Sequence, residues 1–458
     1  MSSHPVDEAR DFLARHPDID SIDLLLSDLN GVQRGKRIPR DNLEKAYING
    51  INLPGSVFAL DITGNTIEAT GLGLDTGDRD FVCRPVAGTL MPTPWLRNGR
   101  HAQLLMSMHD DDESPFFADP RSVLARQIRR LADAGLKAVV ALELEFYLVD
   151  RQRDELGMSQ PPRSPATGER ASESQLYSIS ELDEYADFLE DIQSAAELQQ
   201  LPLDTALKEC APGQFEINLL HGDDVLKACD SAVLLKRLIK GVAIQHGFEA
   251  TFMAKPYGGE AGNGMHVHMS LLDNEGNNVF AAADENPLGT ETLHHAIGGL
   301  MALMADSMAL FAPNMNSFRR FQAGLYVPMT PTWGYDNRSV ALRIPSGPNV
   351  ARRIEHRVAG ADANPYLLLA TLLASIDYGI RQRIEPGKEV TGNAYSQFEP
   401  TLTNSWAQAL DLLEASEPLT EAFGKDFIKV FIANRQAERE SAMQVVSKLE
   451  YDWYLRHV

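Results

Sequence analysis

The stretch GGEAGNGMHVHMSLLD (258–273) decides how this chain is read. Behind a run of glycines, His266, His268 and Ser270 alternate with Met265, Val267, Met269 and Leu271. Successive side chains of an extended strand point to opposite faces, so the apolar set buries while the two histidines and the serine share the other side. What that polar face meets is the question the rest of the sequence answers.

The same alternation recurs. In ALELEFYLV (141–149), Glu143 and Glu145 oppose Leu142, Leu144 and Phe146; in RRIEHRV (352–358), Arg353, Glu355 and Arg357 oppose Ile354, His356 and Val358. SVALRIP (339–345) sets Arg343 against Val340, Leu342 and Ile344, and KECAPGQFEINLL (208–220) places Glu209 before and Glu216 after a Pro-Gly turn. On one strand alone this pattern means a solvated face. Here the polar residues are Glu, His and Arg rather than the free mixture of Lys, Ser, Thr and Gln that water tolerates.

If these faces converge, five carboxylates and the His266 imidazole share one pocket. Without cations they repel one another, and each loses several kcal/mol of hydration. Divalent ions resolve the conflict. Oxygen-dominated ligation favours Mg²⁺ or Mn²⁺ over Zn²⁺, and so many ligands imply two or more ions. Arg343, Arg353 and Arg357, with Arg338, Arg319 and Arg320 nearby in sequence, supply planar forks suited to phosphate and carboxylate. Metals with arginines describe phosphoryl transfer from ATP. No GxxxxGK[ST] loop occurs, and GLGLDTG (71–77) follows no apolar strand, so neither a P-loop nor a Rossmann site is indicated.

The chain has 458 residues, 44% of them hydrophobic, enough for one large core or two unequal ones. Cys83, Cys210 and Cys229 are odd in number and widely spaced, and the start lacks a signal-peptide pattern, so the expected compartment is the cytoplasm. The most apolar stretches are interrupted by Asp306 and Asp377 and are too short to cross a bilayer. A formal charge of -22 argues against a nucleic-acid partner and fits a cationic small substrate.

The organisation expected is α+β. A helix over 5–16 leads into short strands with a hairpin turn at LNG (29–31); MHDDDESPFFADP (108–120) then connects a small unit, 1–112, to a large one, 113–458. Asp119 and Pro120 open a helix that stops at Gly135. Further helices are expected near 181–199, 223–246, 290–311 and 364–382, packed outside a largely antiparallel, curved sheet. The aromatic end, QVVSKLEYDWYLRHV (444–458), suits docking on another subunit.

Six ordered motifs, ELEFYLVD (143–150), APGQFEINLL (211–220), GNGMHVHMSLLD (262–273), NSFRRF (316–321), NRSVALRIPSG (337–347) and ARRIEHRVAGADANPYLLLA (351–370), resemble those of the glutamine synthetase superfamily. LLLSDLNGVQRGKRIP (24–39) is similar to its N-terminal β-grasp domain. The resemblance implies that Glu145, Glu209 and Glu216 hold one metal ion and Glu143, His266 and Glu355 a second. It also implies nucleotide contacts at His268 and Ser270, glutamate contacts at Gly262, Arg320 and Arg357, and phosphate handling by Arg338, Arg343 and Arg353. Asp28 is implied as the base that a neighbouring subunit lends to the amine site, within a ring-shaped homo-oligomer, usually a dodecamer. The implied reaction phosphorylates the side-chain carboxylate of glutamate with ATP and passes the acyl group to an amine.

The chain departs from that family at the amine site. Where glutamine synthetases carry a loop glutamate that closes on ammonium, FQAGLYVP (321–328) has Tyr326; Trp333 follows, and both aromatics suit an alkyl chain or a cation. QLYSISELDEYADFLEDI (175–192) resembles the branch that glutamylates putrescine and other polyamines, and NAYSQF (393–398) departs from the adenylylated tyrosine motif. The expected activity is therefore glutamate-polyamine ligation. The alternatives are glutamine synthesis from ammonium and a non-catalytic ring scaffold, which would be marked by lost metal ligands.

Overall fold

The computed structural model describes residues 5–96, 99–170, 172–173, 175–282, 289–322 and 324–458. The hydrophobic side of each alternating strand faces one of two cores, and each core is one side of a sheet. The smaller sheet holds β1 (Ser21–Ser27), β2 (Gln33–Pro39), β3 (Ile51–Pro54), β4 (Asp80–Pro85), β5 (Met91–Pro92) and β6 (His101–His109), in the order β2-β1-β6-β4-β3 with β5 paired to β6. The β1–β2 hairpin is antiparallel and turns through Asp28–Val32, where Gly31 has φ +74, as LNG predicts. β1 pairs parallel with β6.

The larger sheet holds β7 (Lys137–Asp150), β8 (Leu203–Lys208), β9 (Gln214–Leu219), β10 (Phe248–Thr251), β11 (Met265–Leu272), β12 (Trp333–Tyr335), β13 (Leu342–Ile344) and β14 (Ile354–His356). Its order is β12-β13-β14-β11-β7-β9-β8, with β10 also on β7; among these pairs only β12–β13 is parallel. Long helices, Val225–Gln245 and Pro365–Gln382 among them, cover its apolar side. The expected α+β class with a largely antiparallel sheet is what forms.

Two sequence readings need adjusting. The 290–311 helix is broken: Glu291–Ala302 ends, and Met308–Phe311 restarts after a turn in which Ser307 bonds back to Leu303 through both its amide and its hydroxyl. The connecting segment 108–120 is packed rather than loose, with Met108, Phe116 and Ala118 buried in the smaller core.

The helix after it, Pro120–Asp133, is capped as predicted: Asp119 accepts from the Arg121 amide at 2.9 Å. Its other oxygen accepts from Ser107 Oγ (2.8 Å) and the Met108 amide (2.9 Å), so one buried carboxylate ties β6 to the first helix of the larger unit. The bodies are further joined by Arg237, which donates to Asp23 and Gln103, and by Asn364, which donates to the Asp28 carbonyl. Asp119→Ala is expected to cost about 2 to 3 kcal/mol, from a lost cap and two buried donors left unpaired. A lowered thermal midpoint relative to the native chain checks this.

Candidate active site

Register alone brings the predicted polar residues together. Antiparallel pairing sets His266 opposite Glu143 on β7, His268 opposite Glu355 on β14, and Glu145 opposite Glu216 on β9, while β13 brings Arg343 opposite Glu355. Directly opposed residues share a face, so all of these line one side of the sheet. A one-residue slip of β11 would send both histidines into the core.

Glu143 is gripped by two imidazoles: His268 Nε2 lies 2.8 Å from Oε1 and His266 Nδ1 3.2 Å from Oε2. Burial pushes its carboxyl up, but the hydrogen bonds and charge of the two histidines outweigh that and hold it far below the usual range. Glu355, 2% exposed, meets Arg357 Nη1 at Oε1 and Arg343 Nη1 at Oε2 (2.8 Å). Burial again raises it, and Arg357, followed by His266 and His268, brings it below the ordinary value.

The other end of the face has no such compensation. Glu209 is pushed up to about 7 and Glu216 to about 9, in both cases by burial first and then by the charge of Glu145. Glu145 itself accepts from the Gly264 amide at 2.6 Å. Among the described residues, two triads present ligand atoms within 4.8 Å of one another: Glu143, His266 and Glu355, and Glu145, Glu216 and His266. Buried carboxylates that lack cations, with their ligand atoms already converged, fit divalent ions. The first triad is the predicted set. In the second, His266 stands where Glu209 was expected, and Glu209 accepts from the Cys210 amide at the rim.

Glu143, Asn218, His268, Ser270 and Arg353 line a cavity of about 600 Å³, and Arg353 Nε bonds His268 Nδ1 at 3.1 Å. Arg320, 3% exposed, donates to the Val358 carbonyl. Gly262 lies against it: an added Cβ would stand 2.7 Å from Arg320 Cγ and 2.6 Å from the Ala254 carbonyl, so only glycine permits the approach. Arg338 is exposed and bonds the Tyr177 hydroxyl at 2.9 Å. Tyr326 is 62% exposed at φ +55 on its loop.

Two predicted site residues lie elsewhere. Trp333 is buried, with its indole donating to the Gly387 carbonyl and its ring against His294 and Tyr335, so it cannot wall an amine site. An aromatic near a loop in sequence gave no sign of which way its strand faces. The Asp28 carboxylate is sealed within its own hairpin, accepting from the Asn30 and Val32 amides and from Arg34 Nε, and burial lifts it despite those bonds. A base must meet its substrate. Asp28 does not.

A family model for the glutamine synthetase catalytic domain matches residues 117–454. The chain belongs to the glutamine synthetase family. It is 45% identical to the γ-glutamylputrescine synthetase PuuA of Escherichia coli (strain K12), over 98% of this chain and 94% of that protein. It is 31% identical to a glutamate–isopropylamine ligase of Pseudomonas sp, over 98% and 97%. A solved GmaS/ADP complex superposes with a TM-score of 0.83 at 27% identity, covering 98% of this chain and 99% of that one. No described helix is long and apolar enough to cross a membrane.

In the metal-free protein, Glu209 and Glu216 have raised values when folded. The stability they permit is complete below the ordinary carboxylate range and is lost as pH rises through about 7 and then about 9. A divalent ion offsets that loss. The gain in thermal midpoint on saturating with Mg²⁺ is expected to be larger at about pH 8 than at about pH 6, and Glu216→Gln to flatten the difference. Calorimetry at the two pH values checks this.

Proposed function

We propose that this protein is an ATP-dependent ligase that joins the γ-carboxylate of glutamate to an amine, most probably excluded from ammonium use by Tyr326 and directed to putrescine or another polyamine. The observation that carries the reading is the pairing of a complete carboxylate, imidazole and arginine face with an aromatic in the loop where ammonium-using relatives need a carboxylate. The 45% identity to a protein named γ-glutamylputrescine synthetase supports the amine class.

In this reading ATP occupies the cavity beside His268, Ser270 and Arg353. Glu143, His266 and Glu355, and Glu145 and Glu216 with Glu209 at the rim, would hold Mg²⁺ or Mn²⁺, which when bound neutralise the polyphosphate. Arg320, Arg357 and the Gly262 backbone receive glutamate. The γ-phosphoryl group passes to the glutamate side-chain oxygen, with Arg338 and Arg343 taking up its charge and ADP leaving. The amine nitrogen then attacks the acyl carbon, phosphate departs, and a carboxylate accepts the amine proton.

That carboxylate is better sought at Asp61 than at Asp28. The Asn30 side chain of the β1–β2 turn donates to the Leu60 carbonyl, so the two turns are neighbours. Asp61 Oδ1 accepts from Thr63 and Asn65, leaving Oδ2 out of these bonds. Assembly into a ring, in which a neighbour lends Asp61, is supported by the C-terminal helix Lys448–Tyr454, where Leu449, Tyr451, Trp453 and Tyr454 are all at least half exposed. The three free thiols support a cytoplasmic setting.

The reading is tested with a panel of amines. Putrescine or another polyamine should support glutamate-dependent phosphate release at a kcat/KM at least ~100-fold above ammonium, about 2.7 kcal/mol of discrimination, and Tyr326→Glu should narrow that gap. Equal use of ammonium by the native chain would make it a glutamine synthetase. On the same assay, Asp61→Asn should lower kcat at least about tenfold with little change in thermal midpoint, whereas Asp28→Asn should act chiefly on the midpoint.

A further inference from the structure

The loop 387–397 carries a tyrosine that the reaction scheme above does not use. The loop is fixed along its length. The Val390 amide donates to the Trp333 carbonyl, Trp333 Nε1 donates to Gly387, and Asn337 Nδ2 donates to the Val390 and Gly392 carbonyls. Gly334 lets the loop approach: a Cβ there would stand 2.6 Å from the Val390 carbonyl. Ser339 Oγ accepts from the Ala394 amide, Asn393 accepts from the Tyr395 amide, and Ala394 is buried with Val340 and Val390. Tyr395 is thus presented by a backbone tied to β12 and to the segment that bears Arg338.

Its ring is half-buried and its hydroxyl fully so, without a hydrogen-bond partner among the described residues. A buried phenol left unpaired costs free energy unless something else completes it. The groups within electrostatic reach are Arg357, Arg320 and Tyr326. Arg320 Nε and Arg357 Nε are themselves buried and unpartnered among the described residues. Three donors converge with nothing to receive them, and no carboxylate of the protein pairs with the Tyr395 hydroxyl. A small anion with oxygens on more than one side fits this arrangement.

We infer that the Tyr395 hydroxyl donates a hydrogen bond to a carboxylate of bound glutamate, completing with Arg320 and Arg357 the pocket that selects the amino-acid substrate. The inference rests on the proposed glutamate ligation and deepens it. It also accounts for a tyrosine held with its oxygen out of solvent, where a modifying enzyme cannot reach it unless the loop opens.

The test compares Tyr395→Phe with Gln397→Ala. Gln397 sits on the same loop and donates to the Thr391 and Asn393 carbonyls, so its loss loosens the loop without touching the phenol. Tyr395→Phe is expected to raise KM for glutamate about tenfold or more while kcat, KM for ATP and KM for the amine stay within about twofold, with an unchanged thermal midpoint. Gln397→Ala is expected to leave KM for glutamate near the native value. An unchanged glutamate KM in Tyr395→Phe overturns the inference, as does an equal rise in both variants, which would make Tyr395 a loop support only. Failure of the underlying reading looks different: the native protein itself would neither bind glutamate nor release phosphate in its presence, and the inference falls with it.

Discussion

Charge burial on one sheet face is the constraint from which the rest of this structure follows. Glu143, Glu145, Glu216 and Glu355 are placed by strand register, not by flexible loops, so they cannot separate to relieve their repulsion. The protein compensates half of them itself, with His266 and His268 on Glu143 and with Arg343 and Arg357 on Glu355. The remaining half is left to ions. A face of this kind is a poor way to stabilise a fold and a good way to bind polyphosphate with metals.

The surrounding architecture serves that face. Its apolar underside is pressed by the helices Val225–Gln245 and Pro365–Gln382, and the latter packs against Glu291–Ala302 through glycines: a Cβ on Gly299 would lie 2.1 Å from the Ser375 carbonyl and one on Gly379 2.2 Å from that of His295. Backbones this close allow little rearrangement. Rigid support below keeps the ligand atoms converged above.

Sequence periodicity revealed the site because its residues sit on strands, where spacing by two fixes a shared face. Glu143 with Glu145, His266 with His268, and Arg343 opposite Glu355 were legible for that reason, as was the Asp119 cap. Loops have no such period. Asp28 looked available because it stood in a turn, yet turn aspartates commonly spend their oxygens on nearby amides, as this one does. Trp333 looked close to the site because it is close in sequence, but it faces the opposite side. The Tyr395 hydroxyl could be recognised only from what surrounds it in space.

The loop that bears Tyr326 differs from the face in how freely it can change. Tyr326 is well exposed and holds a left-handed backbone conformation, φ +55, which for a non-glycine residue costs about 1 to 2 kcal/mol. Replacing it alters the shape of the turn along with its chemistry, yet disturbs no buried strand. Lineages can therefore drift between amine acceptors by editing one surface turn, while the phosphoryl-transfer half, locked into strand register, stays constant.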